Sequence, residues 1–354
     1  MHPGFWTGDV DRHPNPRALM RLSEHTAVPI NRSFLTGLSA YEGYLWNTYY
    51  PKGPVSWILP VGRYGRRRLN HGQQFCRICL AEDLEPYFRR RWRLAFNVAC
   101  ESHGIHLDDA CRVCGAPVEF HTGDFGNRLL DFECPITLCP NCGSDLRIDH
   151  VPDLLASAEL VTFQAMLNKA LYDGWHESLP GAWSYSFLAF DGLRYFVRLL
   201  CSHSRGGRLR STMQKEDGRL LFDVAPQATG PVFEELRLGD RAEIINWCRT
   251  LLAAWPSEFI RHCREARVAS SYIRRYGIAM PYWLNSVVQW HLYDLDYKPS
   301  DDEKEAAATW LTDHGHTVST NAVRRLLGVS HTTRSQAVAD KSLRWNPRGP
   351  SFHL

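Results

Sequence analysis

The sequence predicts a mainly α fold with small zinc-ribbon or zinc-finger modules set into it: a helical N-terminal part, tandem zinc fingers, and a C-terminal helical bundle with a helix-turn-helix-like end. Three observations carry this prediction. Cysteine and histidine fall into four two-ligand knuckles inside one short stretch. Apolar residues on both sides of that stretch recur at helical spacing. The chain also holds 12 Trp among 354 residues, with 44% hydrophobic residues, which is enough apolar side chain for a folded core. The expected divisions are 1–72 (helical, helix-turn-helix-like), 73–150 (tandem zinc fingers), 151–299 (helical) and 300–354 (helix-turn-helix-like).

The first division opens with Pro16 to Thr26, where Leu19, Met20, Leu22 and His25 fall near one helical face. Ala27-Val28-Pro29 breaks the pattern, and a second short helix is expected over about Arg32 to Leu38. Two short helices around a tight turn suit a helix-turn-helix or a plain helical hairpin. A loop rich in Pro and Gly follows, carrying the basic run Arg63, Arg66, Arg67 and Arg68.

The metal stretch comes next. Cys76-x2-Cys79, Cys100-x2-His103, Cys111-x2-Cys114 and Cys139-x2-Cys142 each offer two ligands from one tight turn. Zinc takes four such ligands in a tetrahedron, so four knuckles make two sites. Sequential pairing is the simplest arrangement, with a cross-braced one as the alternative. All coordination positions would then be filled by protein, which makes both zinc ions structural. Gly115 and Gly143 directly follow their cysteine pairs, where positive φ turns backbone N–H groups toward the sulfurs. Cys134 is a spare candidate ligand for the second site. His106 and His121 read as packing or surface residues. Between the first two knuckles, Arg89, Arg90, Arg91 and Arg93 lie beside Tyr87, Phe88 and Trp92. Those arginines could clamp phosphate or a partner, or form a solvated face.

Helices are expected beyond the metal stretch over Leu154–Leu171, Phe187–Leu200, Arg241–Trp255, from Pro256 through Cys263, and Met280–Tyr293. Gly206-Gly207 and the polar residues to Gly218 read as a long loop. Ser300 with Glu303 makes a capping box for a helix ending near His314. Asn321–Leu327, a Gly-Val-Ser turn and Thr332–Ala339 form a second helix-turn-helix pattern. Cys201, Cys248 and Cys263 sit in apolar helical patterns, as buried thiols do.

The net charge is only +3, so contact with nucleic acid would have to come from local patches. No secretory segment or membrane-length apolar run is present, which points to a bacterial-type cytoplasm. There is no P-loop, no nucleophile elbow and no convincing acidic constellation, so the chain reads as a non-enzyme.

The residues Cys76, Cys79, Trp92, Cys100, His103, Gly104, Leu107, Cys111, Cys114 and Gly115 resemble the zinc-finger region of the TniQ/TnsD family of Tn7-like transposition proteins. Similarity continues upstream in Leu38-x2-Tyr41-Glu42-Gly43, and downstream in Trp255-Pro256-x2-Phe259 and the Leu-Gly-Val-Ser turn. Two features depart from the pattern: a family-type opening helix is not seen before the lead-in, and Arg77 stands where the family often has Pro. The resemblance implies a non-catalytic target-selection adaptor with two structural zinc ions. Its implied partners are an AAA+ ATPase that recruits the transposase, and target DNA or a CRISPR effector complex with guide RNA. A homodimer is also implied for CRISPR-coupled members. The competing reading is a zinc-containing, sequence-specific DNA-binding regulator not tied to transposition.

Overall fold

The computed structural model describes residues 9–52, 55–61, 71–118, 135–148, 154–177, 184–202, 204–217, 233–273, 280–292 and 299–327. Among the described residues the architecture is mainly helical, with one two-stranded sheet and two clusters of metal-ligand type. The chain divides into two compact units, one of residues 1–268 with 273–288, the other of 269–272 with 289–354. The N-terminal residues, both clusters of metal-ligand type and most of the helical stretch after them fall in the first unit.

Helix α1 (Pro16–Thr26) starts where expected, because the Asn15 side chain accepts from Arg17 N and Pro16 pre-sets φ in the first turn. Ala27 ends it in the left-handed region. The second helix, α2 (Ile30–Phe34), lies earlier than the pattern suggested. A 3-10 turn over Leu38–Tyr41 follows, with Leu38 and Tyr41 buried. Helix α1 buries no residue, and Met20, Leu22, Ile30 and Leu35 are exposed. A six-residue helix, α3 (Arg77–Glu82), lies in the metal stretch.

Helix α4 (Ala158–Asp173) is capped by Ser157, whose side chain accepts from Leu160 N. It stops at Gly174 with φ 77°. A Cβ there would also meet the Tyr44 ring at 3.0 Å, so both backbone and space require glycine. Strands β1 (Trp175–His176) and β2 (Ser184–Tyr185) then pair antiparallel. Helix α5 (Ser186–Cys201) is the most buried element. Its Phe196 meets Trp255, Phe259 and Trp283 at centroid distances of 5.9, 5.1 and 6.2 Å. Those partners come from α7 (Leu238–Ala253) and its end, α8 (Ser257–Glu265) and α10 (Tyr282–His291).

The stretch after Gly206-Gly207 is a helix, α6 (Ser204–Asp217), and not the loop that its glycines suggested. Gly206 serves packing. A Cβ on Gly206 would lie 2.1 Å from the Leu199 carbonyl oxygen at the end of α5. Leu209 and Met213, four apart, are buried, and Arg210 donates to the Leu200 carbonyl. Close helix contact outweighs a glycine cost of about 1 kcal/mol. The thiols of Cys201, Cys248 and Cys263 are buried as expected. Burial pushes Cys201 up to about 12.

In the second unit, α9 spans Ser270–Ile273, mostly within it. Helix α11 (Asp301–Asp313) carries both arms of the Ser300–Glu303 capping box. It packs against α12 (Thr320–Leu326) through Ala307, Leu311, Leu326 and Leu327. The expected turn at Gly328 and the helix Thr332–Ala339 lie outside the described residues, as do Arg63, Arg66, Arg67, Arg68, His121 and Cys134. Among the described residues, no helix is long and apolar enough to cross a membrane.

Candidate metal centres

Each knuckle is a backbone device. In the first, Cys76 is the N-cap of α3, and its sulfur accepts from Cys79 N at 3.5 Å. The helix continues through Leu80, so this knuckle needs no glycine. The other three close as tight turns. Gly104, Gly115 and Gly143 have φ of 64°, 68° and 73° and donate back to the carbonyls of Cys100, Cys111 and Cys139 at 2.9, 2.8 and 2.9 Å. An L side chain at any of these positions would strain the turn.

The four knuckles combine sequentially. Cys76, Cys79, Cys100 and His103 form one set, and Cys111, Cys114, Cys139 and Cys142 the other. Within each set, all ligand atoms lie within 4.8 Å of one another. The His103 Nδ1 sits 3.4 Å from each of the sulfurs of Cys76, Cys79 and Cys100. Cys79 and Cys100 sulfurs are 3.6 Å apart. In the second set, Cys111–Cys142 is 3.8 Å and Cys114–Cys139 is 3.7 Å. Both sets sit on one hydrophobic core that includes Phe75, Leu80, Trp92, Ile105, Leu107 and Val118. The first set's cysteines are all buried, whereas Cys114 and Cys142 of the second are exposed.

Thiol electrostatics explain why such a set calls for a cation. Hydrogen bonds from Cys76 and Cys79 favour the Cys100 thiolate and pull its pKa down. The same bonds push Cys76 far up and Cys79 up to about 11. One thiolate forms readily, and the next is repelled. In the second set, burial pushes Cys139 up to about 12. Burial also opposes ionisation of Cys142, but hydrogen bonds from Ser144, Cys114 and Cys139 together outweigh it and bring this thiol down to about 6. A bound divalent ion would remove the mutual repulsion and hold all the sulfurs deprotonated.

Three residues that the spacing did not single out support the ligands. Glu82 Oε2 lies 2.8 Å from His103 Nε2, so the ring can donate outward while Nδ1 faces the sulfurs. Burial opposes the charged imidazole, yet Glu82 and Cys100 together raise the His103 pKa. The Ser144 hydroxyl lies 3.1 and 3.0 Å from the sulfurs of Cys111 and Cys142. Asn141 Nδ2 donates to Cys114 at 3.5 Å. Replacing Glu82→Gln is expected to weaken metal at the first set about 10–100-fold. Competition with a chromogenic chelator measures this, and an unchanged affinity would deny Glu82 the role.

The arginine strip is more engaged than its pattern suggested. Arg93 is 3% exposed and bonded to Asp9 and Asp11 at 2.6 Å each. It is an internal tie between the N-terminal segment and the 3-10 turn Arg90–Arg93, which corrects the expectation that it faces a partner. Arg89 makes a bidentate pair with Asp83 at 3.0 and 2.9 Å and lies over the Tyr87 and Trp92 rings. Arg90 stacks on Tyr41 and donates to the Leu35 carbonyl. Arg91 meets Glu101 at 2.5 Å. A second hub ties α7 to the metal module. Arg241, fully buried, donates to Ala95 O at 2.9 Å and Gln74 Oε1 at 3.0 Å. Gln74 in turn donates to the carbonyls of Trp92 and Asn97.

Comparison with known proteins gives one family match: residues 2–107 fit the model of TniQ. The matched segment contains the whole first ligand set and the lead-in with Leu38, Tyr41, Glu42 and Gly43. No curated protein and no solved structure matches the chain.

Proposed function

From a chain that belongs, through residues 2–107, to the TniQ family, we propose a target-site selection adaptor of a Tn7-like DNA transposition system, acting by binding and not by catalysis. The observation that carries this reading is the family match itself, which spans the first ligand set. In this role the protein connects target recognition to an AAA+ ATPase that recruits the transposase. The target side is DNA itself or a guide-RNA effector complex of the CRISPR type, the latter with the protein as a homodimer. Action on chromosomal targets implies a bacterial cytoplasm, at the nucleoid.

The metal in this reading is zinc, two ions per chain. Zinc–sulfur bonds of about 2.3 Å give tetrahedral edges of about 3.8 Å between sulfurs, and about 3.6 Å to a nitrogen. The separations of 3.6–3.8 Å and 3.4 Å agree. Four protein ligands per set leave no position for substrate or reactive water, which supports a scaffolding role. The exposed apolar hairpin of α1 and α2, together with Arg91 at the surface of the strip, offers contact area for partners.

The test is a pull-down of the full chain against the AAA+ ATPase of a Tn7-like transposition system, with free DNA as competitor. Retention of the ATPase at every DNA concentration is expected. Sequence-selective DNA binding without ATPase retention would favour the transcriptional regulator instead.

A further inference from the structure

The two ligand sets differ in how far solvent reaches their sulfurs. Cys76, Cys79 and Cys100 are 0%, 4% and 3% exposed. In the second set Cys111 and Cys139 are buried as well, but Cys114 and Cys142 lie open at the surface. Each open sulfur also faces a buried sulfur of the opposite knuckle. Cys114 lies 3.7 Å from Cys139, and Cys142 lies 3.8 Å from Cys111.

A cysteine that holds a metal is a thiolate, and a thiolate reacts with an oxidant that can reach it. The second set thus places an accessible nucleophile beside a covered thiolate able to resolve the product. The first set has no such pair, because its sulfurs are all covered and its fourth candidate ligand is His103. Asn141 and Ser144 hydrogen-bond to Cys114 and Cys142, which tempers the open sulfurs. Burial of the first set blocks contact altogether, so access decides between the two.

We propose that the second set is a redox-responsive metal centre, in which a hydroperoxide oxidises each exposed cysteine to a disulfide with its buried neighbour and the ion is released. The exposed thiolate attacks a peroxide oxygen, the O–O bond breaks, and a sulfenic acid forms together with an alcohol or water. The buried thiolate then attacks that sulfur. The S–S bond forms, the S–O bond breaks, and the oxygen leaves as water. Two thiolates supply the two electrons that reduce the peroxide, and solvent supplies two protons. One such step removes two of the four ligands. Either disulfide runs between knuckles, so the oxidised turns stay joined and reduction can restore the set. In a reducing compartment a bond of this kind is transient, as in oxidant sensing. The inference rests on the proposed zinc reading of the two sets.

The test treats the zinc-loaded full chain with hydrogen peroxide, follows released zinc with a colorimetric indicator, and maps disulfides by mass spectrometry. Release of about one of about two ions per chain is expected. The map should show Cys114–Cys139 or Cys111–Cys142 bridged, with Cys76, Cys79 and Cys100 still reduced. Dithiothreitol with added zinc should restore the metal content. The paired change Cys114→His with Cys142→His keeps four ligands and removes both open sulfurs, so it should hold its ion under the same treatment. If that variant does not load zinc, the wild-type map decides without it. Retention of both ions, loss from both sets together, or a bridge in the first set would overturn the proposal alone. A chain holding fewer than about two ions before oxidant would overturn the zinc reading, and the proposal with it.

Discussion

Removing the metal with a strong chelator is expected to abolish the native near-ultraviolet circular dichroism of the first unit, and added zinc should restore it. The two ligand sets share one core with Phe75, Trp92 and Ile105, and the Arg241–Gln74 hub couples that core to α7. Structural zinc supplies about 10–16 kcal/mol of apparent folding energy in isolated fingers. A whole domain is stable by only about 5–15 kcal/mol. Loss of both ions therefore exceeds what the remaining packing can offset. The order of release is expected to follow burial. Cys114 and Cys142 are exposed while the first set's cysteines are buried, so the second set should surrender its ion first to a colorimetric chelator. Cys111→Ser should leave one ion bound and a partly folded module. A chain that keeps its native spectrum after complete metal removal would show that the sets are not structural.

The second large effect is expected from Arg93→Met. The change leaves Asp9, whose side chain is 8% exposed, facing an apolar group in place of a guanidinium. Breaking a buried pair by removing one partner costs about 3–5 kcal/mol. The urea midpoint should fall accordingly at unchanged slope. Arg91→Ala, at a partly exposed pair, should cost at most about 1 kcal/mol. Adding Asp9→Asn to Arg93→Met should recover part of the loss, because the stranded charge is then gone. A loss under about 1 kcal/mol for Arg93→Met would mean that water compensates Asp9 and that the tie is weak.

The metal centres were legible because their chemistry is local. A two-residue gap between ligands, and glycine at Gly115 and Gly143, are needed for a tight turn whatever surrounds it. Ser300 likewise marked a helix start, since capping involves only neighbours in sequence. Helix α6 was not legible, because Gly206 makes room for the end of α5, a contact that spacing does not encode. The arginine strip misled in a similar way. Four guanidiniums in seven residues look like a surface patch until Asp9, Asp11, Asp83 and Glu101 arrive beside them.

Sequence alone was enough to find the candidate ligands, the turns that present them, most helix positions and the family resemblance. These depend on interactions within a few residues along the chain. Which knuckles combine, that Glu82 and Ser144 brace the candidate ligands, and that Arg93 and Arg241 point inward emerged only from the folded chain. Each of those depends on which distant segment reaches a polar group first. A long flexible side chain carries no record of that choice in its own neighbourhood. Burial then makes the choice costly to reverse, because a stranded charge or unpaired donor inside a protein has no water to fall back on.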